Sequence, residues 1–376
     1  MRRDMIVFGE DWGRHPSSTQ HIITNLVEAR RILWVNSIGL RRPRLTRSDF
    51  ARATSKLTSF IRRSGGEADH EAATDVTPSL ASPFVIPWPG NGMVNQLNGS
   101  ILKRFLKPRI ERLGLDRPIL WTSLPTALPV VGKLGERAVV YYCGDDFGSL
   151  AGVDHGPVSA MEAELAKKAD LVIVASKELA ARFPDRKTIF LPHGVDVDLF
   201  SKRTPPAADL PQDRPVAGFY GAIADWIDVP MLVKAAQRLS EWIFVFVGPI
   251  ATDISPLLRL PNVRFLGPRP HHALASYSQH WTVSLIPFRD CPQIHSCNPL
   301  KLREYLAAGT PIAATDFPAL KPYTPLVSLA DGSDDFADAI LRAADDANRN
   351  GLRRGAVADE SWRNRAAFVD YHMERL

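Results

Sequence analysis

The residues best suited to chemistry lie in one stretch, 287–315, which reads PFRDCPQIHSCNPLKLREYLAAGTPIAAT. Asn298 suits a helix N-cap, Pro299 the first helical position and Gly309 the stop, so the stretch predicts a short helix over 299–308 between two buried strands. Lys301 then sits in the first turn, where a cation opposes the helix dipole. An anion at that N-terminus would account for it, because the free N–H groups there already favour phosphate. Glu304 follows three residues on, near the same face, where a carboxylate can accept the paired hydroxyls of a ribose. The pair reads as a seat for a nucleoside diphosphate or, more simply, as an exposed Lys–Glu pair on an amphipathic helix. Arg289, in the loop before the helix, is a second cation for the same phosphates.

Three further segments place chemistry at strand ends. GFYGAIADW (218–226) is a strand followed by a glycine turn, and Tyr220 and Gly221 stand where a backbone can approach a phosphate. VVYYCGDDFGSL (139–150) sets Asp145 and Asp146 just beyond a strand; adjacent carboxylates repel, which raises the pKa of one of them. Either is a candidate base, or the two are a turn-forming pair. GEDWGRHPSSTQHI (9–22) follows the first strand and offers Asp11, Arg14 and His15, with a turn cap as the plainer role for Asp11.

Short apolar runs alternate with helical segments through most of the chain, which predicts parallel α/β layers. Strands are expected at 5–8, 32–36, 84–87, 119–122, 138–142, 171–175 and 188–191, with helices at 18–29, 94–106 and 159–169. The pattern restarts with strands at 216–220, 242–247, 263–266, 282–287, 311–315 and 327–329, and closes with a helix at 359–375. Between the halves, SKRTPPAADLPQDRP (201–215) suits a linker-edge loop. Residues 41–80 predict a helix and then a loop. Tyr277 and His280 read as helix residues packing inward, and His193 as a packing or capping residue. The expected architecture is two α/β domains of similar size joined near residue 195 and facing a cleft.

The chain has 376 residues, too many for one ordinary core, with 45% hydrophobic and 23% charged residues, which excludes a disordered chain. No apolar run is long enough to span a bilayer. The first nine residues begin like a signal peptide, but Glu10 and Asp11 end the apolar run early, so it reads as a buried strand. Cys143, Cys291 and Cys297 fit neither a disulfide framework nor a zinc site, and a reducing cytoplasm follows as the expectation. The net charge of +5 is uneven. Arg41, Arg42, Arg44, Arg47, Arg52, Lys56, Arg62 and Arg63 face only Asp49, and Lys103, Arg104, Lys107, Arg109, Arg112 and Arg117 face Glu111 and Asp116. These runs read as solvated helix faces or as a surface for anionic lipid. They lack the interleaved aromatics and the motifs of nucleic-acid binders, so nucleic acid is not expected as a partner.

NPLKLREYLAAGTPIAAT resembles the donor segment of bacterial GT-B glycosyltransferases (group 1, family 4-like), where a K-x-x-E-Y-x-A-x-G-x-P pattern follows a P-F loop. LPHGVDVDLF (191–200) is similar to that family's crossover between domains, with Gly194 in its turn. NVRFLGPRPHHALASYSQHWTVSLIPF (262–288) is similar to its next two strands, with Gly267 in a loop that often covers the base. The resemblance implies two Rossmann-like domains facing an interdomain cleft, with the C-terminal helix returning to the N-domain. It implies an acceptor-binding domain over 1–193 plus 355–376 and a donor-binding domain over 194–354. Glu304 is implied as the ribose ligand, with Asn298, Tyr220, Gly221, Gly267 and Arg289 around the donor.

Two departures from the retaining members matter. Ser296 stands where a second glutamate is common, and Asp225, Trp226 and Asp228 stand where an arginine and a lysine are common. The lysine pattern instead resembles the xanthan glucuronosyltransferase type, which implies Lys301 on the donor phosphates, Asp145 (or Asp146) as an inverting base, and Asp11, Arg14 and His15 facing the acceptor. The implied activity is sugar transfer from a nucleoside-diphosphate donor, a UDP-sugar in the first instance, to a membrane-linked glycan or exopolysaccharide intermediate. No cofactor and no metal is expected, and the place is the inner face of the cell membrane, held peripherally through anionic lipid. The rival readings are a non-transferring GT-B nucleotide-sugar epimerase and a basic nucleic-acid-binding protein.

Overall fold

The computed structural model describes residues 3–13, 17–38, 77–150, 152–330 and 336–376. The chain forms two compact units: one of residues 1–174, 179–190 and 366–376, the other of 175–178 and 191–365. The sequence had placed the division at 193/194 and 354/355. The second dividing point instead falls inside the last helix, Trp362–Met373.

The first unit is built on a parallel sheet of seven strands in the order β3-β2-β1-β4-β5-β6-β7. These are β1 (Met5–Phe8), β2 (Ile32–Val35), β3 (Ser79–Ala81), β4 (Ile119–Thr122), β5 (Ala138–Cys143), β6 (Leu171–Val174) and β7 (Thr188–Phe190). All four residues of β1 are fully buried, as an apolar run in the middle of a two-sided parallel sheet must be. Helix α1 (Ser18–Thr24) begins at Ser17, whose hydroxyl accepts from the Gln20 N–H, and a turn of 3-10 helix follows at Val27–Ala29 where one longer helix was expected. Helix α2 (Gly92–Leu113) and helix α3 (His155–Lys168) bury Leu102, Leu106, Val158 and Leu165 in this core.

Two expectations fail here for reasons of proline chemistry. The strand expected at 84–87 does not form; the edge strand is β3, and Pro83, Pro87 and Pro89 lack the N–H that a ladder needs. Helix α2 runs past Leu106 through Pro108, because the carbonyl freed at Arg104 lies on the exposed side, where water can take it up. The first basic run, from Arg41 to Arg63, lies outside the described residues.

The second unit repeats the plan with six parallel strands in the order β10-β9-β8-β11-β12-β13. They are β8 (Val216–Tyr220), β9 (Ile243–Val247), β10 (Val263–Phe265), β11 (Val283–Ile286), β12 (Ile312–Thr315) and β13 (Ser328–Ala330). The loop 201–215 belongs to this unit: the Ala207 N–H donates to Ser276 (3.0 Å) and Leu210 is buried in the core. Tyr277 is buried as expected, whereas His280 is exposed, its ring Nε2 2.6 Å from the Thr204 carbonyl. Among the described residues, no helix is long and apolar enough to cross a membrane.

Candidate functional site

In both sheets the strand order reverses direction beside the first strand of the unit, between β1 and β4 and between β8 and β11. Open α/β sheets bind ligands outside the carboxyl ends of the strands at such a switch point.

At the second switch point the chain leaves β8 through Gly221, at φ +121°, and leaves β9 through Gly248, at φ +152°. Neither backbone suits an L side chain, and a Cβ on Gly248 would fall 2.0 Å from the Gly221 carbonyl oxygen. The Gly221 N–H donates to Val247 and the Gly248 N–H to Gly267, so three turns hold one another at the strand ends. Against them stands the short helix, observed at Leu300–Ala308 and closed by Gly309 at φ +83°. A Cβ on Gly221 would lie 3.1 Å from Cε and Nζ of Lys301, so the ammonium rests against the Gly221 backbone.

Lys301 is half-buried, with Nζ 4.8 Å from the centre of the Phe219 ring and 5.1 Å from that of Phe288. No carboxylate or other acceptor among the described residues bonds to it. Burial lowers its pKa to about 8, against the opposing charges of Glu304 and Cys297. Aromatic faces stabilise a cation only in part, so the ammonium keeps its capacity to bond an anion.

Glu304, one turn on and almost buried, has Oε1 2.8 Å from Nε2 of His271. Burial works against a charged imidazole, but the hydrogen bond and charge of Glu304, with Asp196 behind them, carry His271 above the usual histidine range. The ring of His271 meets Phe200 edge-on at 5.5 Å. Burial, and then the charge of Glu304, push the Tyr220 phenol well above its ordinary value. The backbone N–H of Tyr220 donates to the Tyr305 hydroxyl at 3.1 Å, which fixes the end of β8 to the helix.

Asn298 does not cap the helix. The cap position falls to Pro299, with no side-chain bond, because both ends of the Asn298 side chain are engaged elsewhere. Its Nδ2 donates to the Ala175 carbonyl (2.7 Å) and its Oδ1 accepts from the buried Arg303 (2.5 Å), which also pairs with Glu360 (2.7 Å). This is a structural clasp, and the first turn of the helix keeps its N–H groups free of any side-chain cap. Arg289 is exposed and is fixed through its backbone, its N–H donating to Trp226 (2.8 Å). Asp228, found where relatives often carry a cation, caps the helix Val229–Arg238 through the Met231 N–H. Gly267 meets Gly248 as described, while Arg269 is tied to Asp209 (2.6 Å) and Tyr277.

The first switch point collects carboxylates instead. Asp145 is open to solvent and its carboxylate makes no hydrogen bond or ion pair among the described residues. The surrounding protein, then Glu10 and Asp146, push its pKa up to about 6. Asp146 is fully engaged: it accepts from the Gly148 N–H (2.9 Å), the Ser149 hydroxyl (2.9 Å) and Arg182 (2.5 Å), and Arg182 also reaches the buried Glu162 (2.6 Å). Asp11 accepts from the N–H and hydroxyl of Ser37 (3.1 and 2.8 Å), which ties the loop after β1 to the end of β2. Arg14 and His15 lie outside the described residues. Among the described residues no group of three His, Cys, Asp or Glu could hold a metal ion.

Sequence reasoning missed His271 and Glu10. The signal for Glu10 was present, since it stands beside Asp11 at the same strand end. His271 and Glu304 are 33 residues apart, and no spacing rule joins a loop histidine to a helical glutamate.

Residues 214–346 match the family Glycosyl transferases group 1. The chain is 29% identical over 276 residues to the putative teichuronic acid biosynthesis glycosyltransferase TuaH of Bacillus subtilis, covering 66% of this chain and 69% of that protein. Its fold is similar to that of sucrose-phosphate synthase from Thermosynechococcus elongatus (TM-score 0.71, 17% identity, 100% of this chain and 99% of that one). It is equally similar to Anabaena HepE in complex with UDP and glucose (TM-score 0.71, 15% identity, all of both chains). The chain is a glycosyltransferase of the GT-B fold, with a group 1 glycosyltransferase domain in its second half.

Proposed function

We propose that the protein transfers a sugar from a UDP-linked donor to a membrane-linked glycan or polysaccharide intermediate, with inversion at the anomeric carbon. The observation that carries the donor half is the ammonium of Lys301, held against Gly221 and two aromatic rings without an acceptor of its own. In this reading Lys301 and the open first turn of its helix meet the diphosphate, with Arg289 adding charge from the loop. Glu304 keeps Oε2 for the ribose hydroxyls while His271 holds Oε1. The UDP complex of HepE supports the nucleotide, and the relation to TuaH, a putative teichuronic acid biosynthesis glycosyltransferase, supports a glycan as the product.

Asp145 is the base of this reading, because it is the carboxylate at its strand end with no partner and a pKa near neutrality. The acceptor oxygen attacks the anomeric carbon, the bond from that carbon to the diphosphate breaks, UDP departs, and the hydroxyl proton passes to Asp145. No metal or other cofactor enters the step. Inversion rests on the resemblance to the xanthan type and on Asp225 and Asp228 standing where retaining relatives carry cations.

The test is a transfer assay with labelled UDP-glucose, UDP-glucuronate, UDP-galactose and UDP-N-acetylglucosamine against a bacterial lipid extract, with the product's anomeric configuration read by NMR. Label entering the lipid phase with inverted configuration bears the proposal out. Retained configuration would remove Asp145 from the role of base, and UDP release without label in the lipid would remove the membrane-linked acceptor.

A further inference from the structure

Twelve large hydrophobic side chains are exposed among the described residues, and five of them fall between Leu80 and Leu97. Scattered exposed apolar residues are ordinary, so what distinguishes this region is whether its exposed side chains share a face. Phe84 is 61% exposed, Trp88 47%, Met93 81% and Leu97 50%. The segment bearing Phe84 and Trp88 is fixed alongside helix α2, since Asn98 bonds both the N–H and the carbonyl of Ile86 at 2.9 Å.

Helix α2 buries Leu102, Leu106 and Ile110. At about 100° per residue, Met93, Leu97, Arg104 and Lys107 fall within an arc of roughly 80° on the opposite side. This exposed stripe is apolar in its first two turns and cationic beyond. Lys103, Arg104 and Lys107 are all exposed, and the nearest carboxylate on the stripe is Glu111, 3.9 Å from Lys107. Met93 and Lys107 stand about 21 Å apart along the axis, at about 1.5 Å per residue. Aliphatic side chains followed by basic ones suit the boundary between headgroups and acyl chains, where the apolar groups enter and the cationic groups stay with phosphate. A protein partner fits less well, since the buried part of protein–protein interfaces is depleted of lysine.

We infer that the exposed stripe of helix α2 is a docking face for an anionic lipid bilayer, with Met93 and Leu97 entering the headgroup boundary and Lys103, Arg104 and Lys107 meeting lipid phosphates. The inference rests on the reading of a membrane-linked acceptor and supplies the surface that would bring the enzyme to it.

The test is flotation of the full chain with phosphatidylcholine vesicles, with and without phosphatidylglycerol. The wild type should float with the anionic vesicles and far less with the neutral ones. Met93→Ser with Leu97→Ser should lower the partition coefficient roughly ten-fold or more. Lys103→Glu with Arg104→Glu and Lys107→Glu should lower it roughly 100-fold on anionic vesicles and abolish the preference for phosphatidylglycerol. Because these side chains are exposed, the variants should keep the wild-type Tm and UDP affinity. Wild type that stays with the neutral and anionic vesicles alike at background, or variants that float as wild type does, would overturn the docking face. Loss of UDP binding in the wild type would instead count against the donor reading and leave the flotation result standing.

Discussion

The two units share a strand order through six strands, 3-2-1-4-5-6 from the edge inward and out again, yet they present opposite chemistry at the same topological point. The second unit offers a cation against bare backbone; the first offers carboxylates. In each, most charged side chains near the switch point are matched. Arg303 has Glu360, Arg269 has Asp209, Asp146 has Arg182, and Asp11 has the N–H of Ser37. Among the described residues, Lys301 in the second unit and Asp145 in the first have side chains that no hydrogen bond or ion pair engages, and exposed Arg289 and Asp225 share that state in the second unit. The pKa values of Lys301 and Asp145 move toward neutrality from opposite sides, to about 8 and about 6: burial disfavours the charged Lys301, while the surrounding protein with the charges of Glu10 and Asp146 disfavours the charged Asp145. A duplicated plan thus places two groups with opposite proton preferences and shifted pKa values, Lys301 and Asp145, which are a better guide to function than the charge count.

The comparison is tested hardest at Asp145. Asp145→Asn should lower kcat by roughly 10²- to 10⁴-fold, the usual contribution of a positioned base, while UDP affinity stays unchanged. The wild-type rate should rise with pH through about 6 as the carboxyl loses its proton. The stability effect has the opposite sense. A carboxyl raised from 3.8 to about 6 binds a proton in the folded state that the unfolded chain has already lost, so stability falls as pH rises through that window. Asp145→Asn should therefore have the higher Tm at pH 7 and no advantage at pH 4. Asp146→Asn should instead lose Tm, because Arg182, Gly148 and Ser149 lose their acceptor. A pair of variants with the same thermal behaviour would erase the distinction between the two aspartates.

Lys301→Ala should weaken UDP roughly 10- to 100-fold, the range for one hydrogen bond to a charged group, and leave uridine binding nearly unchanged. With its pKa lowered from 10.5 to about 8, Lys301 costs stability while charged and the cost disappears as pH rises through 8 to 10.5. Lys301→Met should accordingly raise Tm at pH 7. Calorimetry in buffers of different ionisation enthalpy adds a sharper reading. At pH 8.5 the diphosphate should draw a proton onto Lys301, and the wild type should show that uptake while Lys301→Met does not. Equal losses for uridine and UDP in Lys301→Ala would detach this lysine from the phosphates.

The second unit was the more legible of the two from sequence. Its buried strands are short apolar runs with glycine after them, and Gly309 stops the helix where expected. What the sequence misjudged there is Asn298, whose type is right for a cap but whose side chain is claimed by Arg303 and Ala175, contacts made across distant residues. In the first unit two expectations missed the part played by proline: Pro108 is tolerated within a helix that runs past Leu106 because it faces solvent, and Pro83 and Pro87 remove a strand that the apolar pattern alone suggested. The DD pair lies just beyond β5 as expected, but nothing in the sequence says which carboxylate Arg182 claims, since that arginine comes 36 residues later.

The smallest expected effect, and the one that isolates Glu304, concerns His271. Its pKa is raised above 6.5 by Glu304, with Asp196 adding and burial opposing, while Phe200 closes the ring's edge. The stability that His271 gains from its raised pKa is fully present below about 6.5 and is lost as pH rises through the raised folded value. If charged His271 holds one oxygen of Glu304 so that the other faces the ribose, uridine should bind more weakly as the histidine loses its proton. UDP should weaken in parallel, because the ribose is common to both. His271→Gln keeps a donor but removes the titration, so its uridine affinity should be a few-fold lower at pH 6 and flat across the window where the wild type declines. Lys301→Ala, by contrast, should leave that decline in place, since its ammonium acts on the phosphates. A wild-type uridine affinity independent of pH between 6 and 8 would show that Glu304 keeps its orientation without His271, through its position on the helix alone.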